Sequence, residues 1–205
     1  MAQIQSGATS DLLTVDSVSK AARVTFYDTR GNAVAQKATY AACTTAKTAV
    51  AAGTTTPYAA LYGSGTKTIR VQRIVVCATI ATTNAYVDLV VAKRTAAISG
   101  GTKTDLTQVA LDSNNSAGTA NIAGIYTAAP TAGTGGGIIA AQLQFVPITG
   151  TAALCPAVFD FDWRFRDESE APVLRGTAQG VEVSFGTSIA TNQPTLTVMF
   201  LWTEE

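Results

Sequence analysis

Phe159–Arg166 reads FDFDWRFR, and its period of two decides the fold class. Phe159, Phe161, Trp163 and Phe165 fall on one face, and Asp160, Asp162, Arg164 and Arg166 on the other. An aromatic row facing a core and a charged row facing water is the pattern of a half-buried antiparallel strand. The alternation recurs further along. In VEVSF, Val181, Val183 and Phe185 share a face; in AYVDLVVAK, Ala85, Val87, Leu89 and Val91 are expected inward, with Tyr86 and Asp88 outward. Leu196–Trp202 differs, because Met199 and Leu201 make its second face apolar too. Such a strand is covered by another element or sits at a subunit contact, so Met199 and Leu201 are candidate subunit-contact residues. In IRVQRIVV the alternation slips by one residue between Val71 and Ile74, and a β-bulge at Gln72–Arg73 would absorb the slip.

Turn signals punctuate these runs: TRGN at Thr29–Asn32, GSG at Gly63–Gly65, SGG at Ser99–Gly101, DSNNS at Asp112–Ser116 and GTGGG at Gly133–Gly137. Short strands between Gly, Asn and Ser clusters, without long helical periodicity, predict an all-β sandwich or barrel. RVTFYDTRGNAVAQKATY is a candidate β-hairpin on the TRGN turn, and AACTTAKTAVAAGTTTP is too β-branched for a helix. The expected division is therefore an N-terminal arm with extra strands over residues 1–57 and a compact β domain over 58–205.

Composition narrows the function. The 205 residues carry no net charge, only 14% are charged, and none is histidine. The low charge with 47% hydrophobic residues argues against intrinsic disorder, and the absence of a basic excess argues against nucleic-acid binding. Without histidine, hydrolases built on a serine–histidine or cysteine–histidine pair are excluded. Charge is uneven along the chain: residues 1–110 hold eleven Lys/Arg against five Asp/Glu, and residues 111–205 hold three against nine. Interleaved strands would neutralise these halves within one subunit; complementary patches between subunits are the alternative. The start, MAQIQSGATSDLL, has neither the positive nor the apolar region of a secretory signal, and no apolar run is long enough to span a membrane. Cys43, Cys77 and Cys155 match no zinc or redox spacing and read as structural thiols of a chain made in a reducing cytoplasm.

Candidate chemistry is sparse. GSGTKT at Gly63–Thr68 and GGTKT at Gly100–Thr104 echo a phosphate loop but lack its spacing and its following helix, so they read as turns. Asp160 and Asp162 share a strand face, yet Arg164 and Arg166 share it too, and ion pairing explains the row as well as a carboxylate pair would. DSNNS lacks the Gly and Glu of a calcium loop. The one S-x-x-K match, Ser17–Lys20, lies in the polar arm and reads as linker. No catalytic, cofactor or metal residue is expected. Tyr58, Tyr62 and Tyr126, in loop-like surroundings, are candidates for stacking on a glycan.

The sequence ALYGSGTKTIRVQRIVVCATIATTNAYVDLVVAKRTAAISGGTK, continuing through GGIIAAQLQF and PVLRGTAQGVEVSFG to TLTVMFLWTEE, resembles a broad group of tailed-phage virion proteins. The opening IQSGATSDLLTVDSVSKAARVTFYDTRGN is similar to N-terminal segments of such proteins. The resemblance implies a single antiparallel jelly-roll β-sandwich, akin to tumour-necrosis-factor-like and capsid accessory domains, preceded by an N-terminal arm. It implies a non-enzymatic part of the particle surface, a head decoration or a head or neck fibre, anchored by the N-terminal segment. The alternative it leaves open is a tail-associated module that binds a host receptor or glycan. Expected partners are other virion proteins (major capsid, neck or tail) and two further copies in a homotrimer, with no nucleic acid.

Overall fold

A computed structural model describes residues 14–15, 22–23, 37–50, 56–80, 83–148, 156–164, 170–189 and 191–205. The chain divides into two units, Met1–Lys37 and Ala38–Glu205. In the first, β1 (Thr14–Val15) pairs antiparallel with β2 (Ala22–Arg23). The hairpin turn expected at Thr29–Asn32 and the SVSK motif lie outside the described residues.

The second unit carries β3 (Ala38–Cys43), β4 (Lys47–Thr48), β5 (Pro57–Tyr62), β6 (Ile69–Ile80), β7 (Ala85–Arg94), β8 (Thr102–Thr104), β9 (Val109–Ala110) and β10 (Asn121–Ala123). It continues with β11 (Ile125–Ala128), β12 (Gly137–Val146), β13 (Ala157–Asp162), β14 (Val173–Leu174), β15 (Gly180–Phe185) and β16 (Pro194–Glu204). One sheet has the order β13-β6-β16-β3-β9, with β14 extending beside β6 and β4 beside β16; the other has the order β10-β5-β15-β7-β12. Every ladder is antiparallel.

Eight strands form the frame: β3, β5, β6, β7, β12, β13, β15 and β16. The first pairs with the last, β5 with β15, β6 with β13 and β7 with β12. A long antiparallel ribbon rolled into two facing sheets gives this nesting, so the fold is a jelly roll.

The boundary between arm and domain lies at Lys37/Ala38, not after residue 57. ATYAAC belongs to the sheet because Tyr40 and Ala42 alternate into the core, where Tyr40 stacks on Trp202 with centroids 5.9 Å apart. Lys47–Thr48 follows it along β16.

The core forms as the alternation requires. Ile74, Val76, Phe159, Phe161, Leu196, Val198, Phe200 and Trp202 from one sheet meet Leu61, Val87, Leu89, Val91, Val181, Val183 and Phe185 from the other. Burying each such side chain stabilises by roughly 1.5–3 kcal/mol. The slip in IRVQRIVV is a bulge at Gln72: Leu201 lies opposite Arg73 and Trp202 opposite Val71. The Gln72 carbonyl accepts from the Trp163 N–H at 2.9 Å.

That bond helps end β13 sooner than FDFDWRFR suggests. The strand stops at Asp162, and Arg164 turns back so that its N–H and guanidinium both reach the Asp162 carboxylate. Phe165 and Arg166 lie outside the described residues.

VEVSF is buried on both faces rather than one. The segment between β7 and β12 lies over it: Tyr126 and Ile98 pack on Ala60 and Tyr62, and the Gly133 N–H donates to the buried Glu182 carboxylate at 2.9 Å. Gly133 must be glycine for this, since a Cβ would sit 2.1 Å from the Ala96 carbonyl oxygen. None of the described residues is helical, so none belongs to a helix long and apolar enough to cross a membrane.

Candidate functional site

Two surfaces of the sandwich present features beyond packing. The first is the side where β12 and β13 meet. In β12, Ala140, Gln142, Gln144 and Val146 turn toward the interior, and Leu143 and Phe145 turn to solvent. The ladder fixes this phase by setting Gln142 opposite Leu89 and Phe145 opposite Tyr86. The glutamines find partners on the neighbouring sheet. Gln142 Nε2 donates to the Asp160 carbonyl at 2.7 Å, Gln142 Oε1 accepts from the Asp160 N–H at 3.1 Å, and Gln144 Nε2 donates to the Val158 carbonyl at 2.6 Å. Side-chain amides thus take the place of a neighbouring strand along β13.

Two clefts open on this side. One, of about 360 Å³, is lined by Ile139 to Gln142 and by Asp160 to Trp163; the other, of about 400 Å³, is lined by Lys93, Ile139, Trp163 and Glu170 to Val173. The half-buried Trp163 ring and the bulged Ile139 border both.

The acidic residues here are engaged by arginines. Arg73 Nε donates to Asp160 at 2.8 Å and its terminal nitrogen lies 2.5 Å from the second oxygen. Asp162 receives Arg164, with Arg73 at 3.6 Å. The hydrogen bond from the Arg164 side chain holds the Asp162 carboxyl below its usual value. Ion pairing, the simpler of the two sequence readings, describes the row.

The second surface is the outer face of the β13-β6-β16-β3-β9 sheet. Met199 and Leu201 lie there half-exposed; Met199 is flanked by Val75 and Cys43, and Leu201 by Arg73 and Ala41. Cys77 and the exposed Val158 continue the row. The apolar second face read from the sequence is therefore present.

The three tyrosines are not available for stacking on a sugar. Tyr58 is 2% exposed, Tyr62 3% and Tyr126 4%. The expected loop surroundings are strands instead: Tyr58 and Tyr62 lie in β5, which is buried on both faces, and Tyr126 in β11. The Tyr58 hydroxyl donates to the carbonyls of Lys47 and Leu196, and the Tyr62 hydroxyl accepts from the Ile98 N–H at 2.8 Å. Burial pushes the Tyr58 and Tyr62 hydroxyls well above their ordinary value and that of Tyr126 up to about 12.

The turns behave as the spacing implied. The Ser64 hydroxyl accepts from the N–H groups of Thr66 and Lys67, and β8, a strand, follows Gly101. Asp112 caps its own turn through the Asn114 N–H. Among the described residues, no group of three or more acidic or thiol side chains is placed to share a metal ion.

The two halves of opposite charge meet within one subunit: Arg70 pairs with Glu205, Arg73 with Asp160 and Arg94 with Glu182. Reasoning from sequence missed the Trp163 clefts and the glutamine caps. A signal exists in AAQLQFV, whose polar phase, Gln142 and Gln144, is the inward one. Comparison with family models, with curated proteins and with solved structures finds no match.

Proposed function

We propose that the protein is a structural component of a bacteriophage particle, an accessory jelly roll on the head or a head or neck fibre, anchored by its N-terminal segment. The observation that carries this reading is the apolar outer sheet face around Met199, Leu201, Val75 and Cys77. Apolar surface of this kind marks a site of assembly with other protein. The resemblance of the sequence to tailed-phage virion proteins supplies the setting. Copies of the chain, as a homotrimer, and the shell, neck or tail proteins are the partners on this reading.

The test is a particle assay. Removing Met1–Lys37 leaves every strand of the second unit intact, so the truncated protein is expected to fold and to lose virion binding. Full binding by the truncated protein would refute the anchor, and absence of the full chain from purified particles would refute the whole assignment.

A second reading is favoured by the clefts beside Trp163. An indole ring beside carboxylates and a side-chain amide suits a saccharide, so the tail-associated receptor or glycan module keeps a candidate site there. On that reading Trp163→Ala abolishes retention on host envelopes while particle binding persists. Equal retention of the two proteins would remove it.

A further inference from the structure

Exposed strand edges template pairing with other chains, and folded proteins blunt them. Three of the four outermost strands of this sandwich are blunted. β9 has two residues and β10 three. β13 is capped at Val158 and Asp160 by Gln144 and Gln142. The fourth, β12, is left open among the described residues. It runs ten residues, Gly137–Val146, without a charge or a proline, and among the described residues it pairs only with β7.

Its outward side chains are apolar as well. Ile138 is 60% exposed, Leu143 63% and Phe145 45%, and Tyr86, whose ring meets Phe145 edge-on, is 70% exposed. These four side chains expose on the order of 500 Å² of surface, an apolar patch of the size that marks assembly with other protein, and pairing at the β12 edge would bring Leu143 and Phe145 of two copies into contact. Backbone hydrogen bonds along the edge would add to that contact.

We infer that β12 pairs with β12 of a second copy of this chain, antiparallel across a twofold axis, joining two sheets into one. The strand is self-complementary. Having no charges, it sets no like charges against each other. Centred on Leu143, the pairing places Leu143 against its own copy and Phe145 opposite Ala141, a large ring beside a small side chain. Gln142 and Gln144 point to the other face, where β13 already holds them. The inference rests on the assembly reading in taking a second copy as partner, but a twofold edge contact is independent of a threefold one.

The native mass of the full chain at micromolar concentration separates the two. A dimer or hexamer supports edge pairing; a monomer or trimer overturns it, and a trimer would leave the threefold expectation standing alone. Leu143→Lys should halve the mass, turning dimer to monomer or hexamer to trimer, because two ammonium groups then face each other at the axis. An unchanged mass would overturn the assignment of the contact to β12.

Leu143→Cys gives a second readout. Directly opposed side chains have Cβ atoms roughly 5 Å apart, close to disulfide reach. Mild oxidation should link this variant into a covalent dimer well above the background of the native cysteines, whereas Leu111→Cys, on the far edge, stays at background. Equal yields from the two variants would also overturn the inference.

Discussion

The two lateral sides of the sandwich are finished in opposite ways. On one, the long segment between β7 and β12 wraps the margin, adding β9 beside β3 and β10 beside β5. It is pinned by a buried carboxylate: Glu204, 3% exposed, accepts from the Thr119 N–H and hydroxyl, the Ala120 N–H and Trp202 Nε1. On the other side, two glutamines cap β13, while β12 pairs among the described residues with β7 alone. The contrast teaches that a margin can be sealed by chain or by side chains, and that the seal sets what remains for a partner.

The largest expected effect is on the wrapped side. Glu204→Ala leaves two backbone N–H groups and an indole N–H buried without an acceptor, and should cost about 3 kcal/mol in urea unfolding. A loss below about 1 kcal/mol would show that the wrap holds without its carboxylate. Alkali should open the same side next. The unfolded chain releases tyrosine protons from about pH 10, whereas burial holds Tyr58, Tyr62 and Tyr126 protonated to higher pH. Their stabilisation is complete below pH 10 and falls as pH rises through 10 toward and beyond 12. Phenolate absorbance from these residues should therefore appear with unfolding; its appearance in a folded protein would contradict their burial.

The capped side should yield less to substitution. Gln142→Ala with Gln144→Ala frees three bonds at a partly wet margin and should cost about 1 kcal/mol, with increased self-association as the β13 edge is bared. A cost as large as that of Glu204→Ala would erase the distinction between the sides. The smallest effect belongs to Asp162. Its carboxyl is held below the ordinary value by Arg164, so its contribution is present above about pH 4 and lost as pH falls below it. Asp162→Asn should flatten that acid limb slightly, a change readable in melting temperature between pH 5 and 3.

Most of the frame is legible in the sequence, because alternation reports which face of a strand meets a core. Leu196, Val198, Phe200 and Trp202 are fully buried as read, and the phase slip before Ile74 marks the bulge. Alternation is silent about what lies over the second face, and there the reading departs from the structure. Glu182 looks like a solvent position and Tyr62 looks available until the 95–136 segment is placed over them, Tyr126 is buried as part of that segment, and Tyr58 turns into the main core beside Phe185. The boundary at Ala38 is hidden for a related reason. ATY ends the stretch read as a hairpin and AAC has no large apolar side chain, so nothing local ties ATYAAC to the main sheet, and it earns its place only beside Trp202, far away in sequence.

The nested pairing also governs time. Of the four nested ladders, β7–β12 closes the shortest loop, and β6–β13, β5–β15 and β3–β16 close successively longer ones, the last joined by a Val198–Thr44 bond across 154 residues. Loop-closure entropy favours the inner pair first, and folds dominated by such distant pairings mature over milliseconds to seconds. The uncharged β12 edge is thus built early, while the outer strands are still unpaired. Synthesis of many copies at once in a crowded cell would then set two processes racing, closure of each roll and edge contact between neighbours, with concentration deciding the winner.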